Sequence, residues 1–168
     1  MIESKTKAPG QSSRTVCPIA RIEVIPLVVP EVDRDDLDGL AGNVIVKIFD
    51  EEGRYGFGET DAPPDVIKAF IETATMHGWS RNIPEILVGE DPVEITALWE
   101  RMYEGTFWHG RRGLGLHAIG ALDIALHDLA GKQLGLPAYK LMGVRGVRIS
   151  SLIAPSILVW RMAGALPS

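Results

Sequence analysis

The sequence predicts an α+β domain: a three-stranded antiparallel meander followed by a helical bundle. Three observations carry this prediction. Runs rich in Val and Ile, broken by turn-forming residues, fill the first third of the chain. From about residue 65 onward the apolar residues recur at helical spacing. Strands come first and helices after, the order of an α+β domain.

The first strand is predicted over Ile19–Val29, with Pro30 ending it. The segment Glu31–Gly42 follows as a solvated loop, because Asp33, Asp35, Asp36 and Asp38 crowd it. It is not a calcium loop. With Asp33 at position one, Asp38 stands where an EF-hand needs Gly and Val44 where it needs Glu. A hairpin comes next. Val44, Val46 and Ile48 share one strand face, Asp50-Glu51-Glu52-Gly53 supplies the turn, and Tyr55–Glu59 returns. Gly56 and Gly58 weaken that return strand but let another backbone come close.

Three helices are predicted. Asp65–His77 carries an apolar stripe of Val66, Ala69, Phe70 and Ala74 beside Ile67 and Ile71, with Gly78 as its stop. A second helix starts at Asp91-Pro92-Val93-Glu94, with Asp91 as N-cap and Glu94 three residues on. Its buried face is Ile95, Leu98, Trp99, Met102 and Tyr103. The third spans about Leu116–Leu134, with Ala118, Leu122, Ala125 and Leu129 as its stripe. Asp128 and Lys132 pair four apart, and Gly135 and Pro137 stop the helix. Its small residues Ala118, Gly120, Ala121 and Ala125 would admit a neighbouring helix closely.

Composition narrows the function classes. The chain has 168 residues, too few for a complete α/β barrel of roughly 250. Seventeen basic against 22 acidic residues leave a net charge of −5, which argues against a nucleic-acid partner. Apolar residues at 46% and charged residues at 23% suit a globular core. Cys17 is the only cysteine, so no internal disulfide forms, and a lone thiol fits the cytoplasm. No apolar run approaches the ~18 residues of a membrane helix. Residues 1–18 are polar, without a secretory apolar core, and are expected to be a disordered leader.

No complete catalytic constellation emerges from the residues. His117 and His127 are ten apart and do not share a helix face as metal ligands would. Asp123 and His127, four apart, read as a structural pair, since no third ligand is evident. Gly110-Arg111-Arg112-Gly113-Leu114-Gly115 precedes a helix without a Walker Lys-Ser/Thr pair. Arg111 and Arg112 are either solvated or hold an anion at the helix entry. No Gly-x-Ser-x-Gly elbow is present.

Four motifs carry a resemblance. The run from Ala118 to Pro137, AIGALDIALHDLAGKQLGLP, resembles the signature A-I-x-x-x-D-x-A-L-W-D-x-x-G-K-x-x-G-x-P, with His127 where Trp is usual. Tyr139–Gly143 resembles V-Y-x-L-L-G-G, with Val144 replacing its second glycine. Gly56-Phe57-Gly58-Glu59-Thr60 resembles G-x-G-E, and Gly89-Glu90-Asp91-Pro92 resembles G-x-D-P. In this order they resemble the N-terminal capping domain of the enolase superfamily, mandelate racemase/muconate lactonizing branch, over about residues 19–143.

The resemblance implies a lid that closes over the C-terminal face of a (β/α) barrel. Its specificity loops map to Pro30–Gly42 and Glu59–Pro63, so the expected lid residues are Val32, Asp33, Leu37, Leu40, Glu59 and Thr60. The barrel would supply the Mg²⁺ ligands and the bases that move a proton alpha to a carboxylate. No catalytic or metal-binding residue is expected in this chain, which alone should be inactive. Gly110-Arg111-Arg112-Gly113 favours an acid-sugar dehydratase over a racemase or cycloisomerase, so the expected partner is a small carboxylate. Homo-oligomers would form through the family fold. Residues 144–168 are expected to be the truncated start of the barrel, with Val147–Ile153 as its first strand, or a non-native tail; no Lys-x-Lys motif follows. Two alternatives are a free-standing binding domain and a lid subunit completed by a separate barrel chain.

Overall fold

The computed structural model describes residues 16–28 and 42–143. Strands β1 (Ile19–Val28), β2 (Gly42–Asp50) and β3 (Tyr55–Thr60) form one antiparallel sheet in the order β1-β2-β3. The register pairs Val24 with Val46 and Ile22 with Ile48, then Val46 with Gly58 and Ile48 with Gly56. Strand alternation therefore sends Val44, Val46 and Ile48 into the core beside Gly56, Gly58 and Thr60.

Helices α1 (Pro64–Glu72), α2 (Ile83–Leu87), α3 (Ile95–Gly105), α4 (Leu114–Leu134) and α5 (Ala138–Leu141) follow, with a 3₁₀ turn at Phe107–His109. The predicted stripe of α4 is buried in full, Ala118, Leu122, Ala125 and Leu129 together with Ile119 and Leu126. Each fully buried Leu or Ile stabilises the fold by about 1.5–3 kcal/mol. Leu98 and Met102 of α3 are buried, and Ile95, Trp99 and Tyr103 pack against the same core.

The element that approaches α4 closely is strand β3, not the neighbouring helix that its small residues suggested. A Cβ built on Gly58 would sit 2.0 Å from the Ala121 carbonyl oxygen, and one on Gly56 2.1 Å from that of Ala125. Gly120, by contrast, faces open space. The outer edge of β3 is also tied down by α4. Asp128 accepts from Phe57 N–H at 3.0 Å, and Lys132 Nζ donates to the Tyr55 carbonyl and to Asp128, both at 2.7 Å. The acid–base pair read as an intrahelical contact therefore also caps an exposed sheet edge.

Asp50, 2% exposed, locks the hairpin to the end of α4. It accepts from the backbone N–H of Glu52 (3.0 Å) and Arg54 (2.9 Å), from Arg54 Nε (2.7 Å) and from Gln133 Nε2 (2.9 Å). Gln133 Nε2 also donates to the Cys17 carbonyl at 2.8 Å. Burial raises the Asp50 pKa, but the hydrogen bonds from Arg54 and Gln133 outweigh it and hold the carboxyl below its ordinary range.

Two predicted boundaries move, each because a side chain offers the backbone a competing partner. The first helix ends at Glu72 rather than His77, and its buried face is Ile67, Phe70 and Ile71, leaving Val66 exposed. Asn82 explains the early end. Its Nδ2 donates to the Thr73 carbonyl at 2.9 Å, its N–H donates to Thr75 Oγ1 at 2.8 Å, and its Oδ1 caps α2 by accepting from Glu85 N–H at 3.1 Å. Gly78 then lies in a tight turn bridged by His77 and Ser80 instead of ending a helix. In α3, Asp91 Oδ1 accepts from Val93 N–H at 2.7 Å, closing a separate turn, so the helix begins at Ile95. The short helices α2 and α5 were not predicted; four or five residues are too few for periodicity to register.

Candidate functional site

The end of β3 and the first turns of α4 meet at one end of the domain. Glu59 points away from the core and is exposed, whereas Thr60, 8% exposed, turns inward. Thr60 Oγ1 lies 3.2 Å from His117 Nδ1 and accepts from Ala62 N–H at 3.4 Å. His117 Nδ1 is also 3.8 Å from an Asp61 carboxylate oxygen. Thr60 is thus a positioning residue, and His117 is the side chain it positions.

An open cavity of about 330 Å³ lies here, walled by Glu59, Thr60 and His117 and by Leu116, Gly120 and Ile124 of α4. Ile124 is 51% exposed and Leu116 41%, so the outer face of α4 carries an uncovered apolar stripe. A carboxylate acceptor and an imidazole beside an apolar wall suit a polyhydroxylated ligand. Among the described residues no group of three or more His, Cys, Asp or Glu could hold a metal ion.

The expected site residues are only partly brought together. Glu59 and Thr60 share the cavity; Val32, Asp33, Leu37 and Leu40 lie outside the described residues. Arg111 and Arg112 do not join them. Arg111 lines a different cavity, with no lining residue in common, and Arg112 is exposed. His117 was considered in the sequence only as a metal ligand. Its place one turn into α4 beside Glu59-Thr60 depends on how β3 crosses α4, which spacing does not reveal.

His127 and His109 are held by contacts within the fold. His127 Nδ1 is 2.9 Å from the Asp123 carbonyl and 3.5 Å from its carboxylate, matching the predicted pair. Burial pushes the Asp123 carboxyl up, and His127 pulls it partly back. His109 Nε2 lies 2.8 Å from Ser80 Oγ, while its Nδ1 is buried without a partner among the described residues. Burial, then the charge of His77, lowers the His109 pKa. No helix among the described residues is long and apolar enough to cross a membrane.

Comparison with known proteins agrees with this architecture. Residues 38–143 match the mandelate racemase / muconate lactonizing enzyme N-terminal domain. The D-galactonate dehydratase of Variovorax paradoxus is 38% identical over 102 residues, covering 61% of this chain and 25% of that protein. The chain spans about a quarter of the length of such curated relatives. A solved structure named as a candidate racemase superposes with a TM-score of 0.70 at 44% identity, over 81% of this chain and 33% of that one. The mandelate racemase/muconate lactonizing protein from Paracoccus denitrificans, solved with magnesium, gives 0.58 at 28% identity, over 75% and 30%. The chain belongs to the mandelate racemase / muconate lactonizing enzyme family of the enolase superfamily, and its matched region is that family's N-terminal domain.

Proposed function

We propose that this domain is the substrate-closing lid of an acid-sugar dehydratase. One observation carries the reading: Glu59 and the Thr60-oriented His117 edge an open cavity at the end of β3, next to an uncovered apolar stripe on α4. In this reading the stripe docks a barrel, while Glu59 and His117 hydrogen-bond the hydroxyls of a sugar acid. Closure then excludes water from the reacting carbon. The dehydratase relatives support the substrate class. In this reading the metal is held by the barrel, and no step here is assigned to it. The test is to incubate the 168-residue chain with Mg²⁺ and D-galactonate, D-mannonate and L-rhamnonate. No dehydration is expected from the chain alone, and turnover is expected once it replaces the corresponding domain of a dehydratase relative. A fusion that folds but stays inert would overturn the reading.

A further inference from the structure

The larger cavity, about 550 Å³, lies away from the lid end and shares no lining residue with it. Its walls carry Arg81, Arg101 and Arg111 against one acid, Glu104. This is a local excess of positive charge on a chain whose net charge is −5. Arg101 Nη1 is paired with Glu90 at 2.7 Å. Arg81 and Arg111 have no acidic partner among the described residues.

Arg111 is held in place beforehand. Its guanidinium carbon lies 4.2 Å from the centre of the Phe107 ring and 4.6 Å from that of Tyr103. Its Nε is buried with no hydrogen-bond acceptor among the described residues. Beside it, Trp79 and Phe107 meet edge to face at 6.0 Å and remain 63% and 47% exposed. The cavity volume falls within the ~300–1,000 Å³ of small-molecule sites, well above what a bare inorganic ion fills.

We propose that this cavity binds a small organic anion with a planar ring. Arg81 and Arg111 hold its phosphate or carboxylate, the Trp79 and Phe107 rings line its planar part, and Glu104 accepts a ring N–H or hydroxyl. The proposal is independent of the lid, because a sugar acid lacks the ring these walls fit.

The test titrates the 168-residue chain with AMP, following tryptophan fluorescence and calorimetry, with inorganic phosphate and D-galactonate as comparison probes. Saturable one-to-one binding of AMP is expected, tighter than either comparison. Arg81→Ala should weaken it about ten-fold or more, the loss of one charge-assisted hydrogen bond. Arg111→Lys, which keeps the charge but loses the planar fork, should also weaken it. Lys68→Ala removes a cation that does not line this cavity and should leave binding unchanged. Circular dichroism checks that each variant is folded. The proposal is overturned by no saturation up to about 5 mM AMP, by binding undiminished in folded Arg81→Ala, or by an equal loss in Lys68→Ala.

Discussion

Replacing Gly58 by alanine tests the packing of β3 on α4, on which the position of the cavity between Glu59 and His117 depends. The added methyl would lie 2.0 Å from the Ala121 carbonyl oxygen and 2.9 Å from Ala125 N. Real Cβ contacts stay beyond 3.0 Å, so the strand must withdraw by 3.0 − 2.0 = 1.0 Å or the helix must shift equally. Both clashing groups are backbone in regular elements, so no side-chain rotation relieves them. A gap of that size forfeits up to half the dispersion energy of neighbouring contacts. The strain belongs at the top of the overpacking range, about 3 kcal/mol. The stiffer unfolded chain returns up to about 1 kcal/mol, for a net loss of about 2 kcal/mol. The matched control is Gly120→Ala in α4. There the new Cβ meets nothing within 4 Å, so better helix propensity should add about 0.5–1 kcal/mol. Urea unfolding of the three proteins, with m unchanged, measures both. A Gly58→Ala midpoint equal to wild type, or Gly120→Ala as damaging as Gly58→Ala, would refute the close approach.

Further predictions follow from the hydrogen-bonded groups. Asp50→Ala strips acceptors from two backbone N–H groups, Arg54 and Gln133, and should cost about 3 kcal/mol in urea unfolding. Because the folded Asp50 pKa is lowered, its contribution is present above the ordinary carboxyl value of 3.8 and is lost as pH falls below it; Asp50→Asn should flatten that acid limb. His109 is depressed below 6.5, so the unfolded chain takes up its proton first and stability should fall as pH drops below 6.5, a loss that His109→Phe should remove from the pH–stability curve. Asp128→Ala frees the Phe57 N–H on the sheet edge and should cost about 1–2 kcal/mol, with more self-association by size-exclusion chromatography.

Much of the fold was legible because alternation and helical spacing report burial directly. Val44, Val46 and Ile48 on one strand face, and Ala118, Leu122, Ala125 and Leu129 on one helix face, are the core the structure shows. Gly56 and Gly58 signalled a close backbone approach, but only the tertiary fold says that α4 receives it. Boundaries failed where side chains competed for the backbone. Asn82 acts on Thr73, nine residues away, and Asp91 closes a turn rather than the helix. In the cavity at the end of β3, Glu59 and Thr60 are reached through the Gly-x-Gly-Glu motif. His117 is not, because 57 residues separate it from Thr60. In the sequence Arg111 is either solvated or an anion contact; its cation–π stack and the cavity beyond it are visible only with Tyr103 and Phe107 placed around it.

The most direct test of the lid assignment fuses residues 19–143 to the barrel of the Variovorax D-galactonate dehydratase and compares Glu59→Ala with the parent fusion on sugar acids. The account predicts a fall in kcat/KM of about ten-fold or more for Glu59→Ala, as expected for a lost hydrogen bond to bound substrate. Lys68→Ala, remote from the cavity, should match the parent. Undiminished turnover by a folded Glu59→Ala fusion would contradict the account.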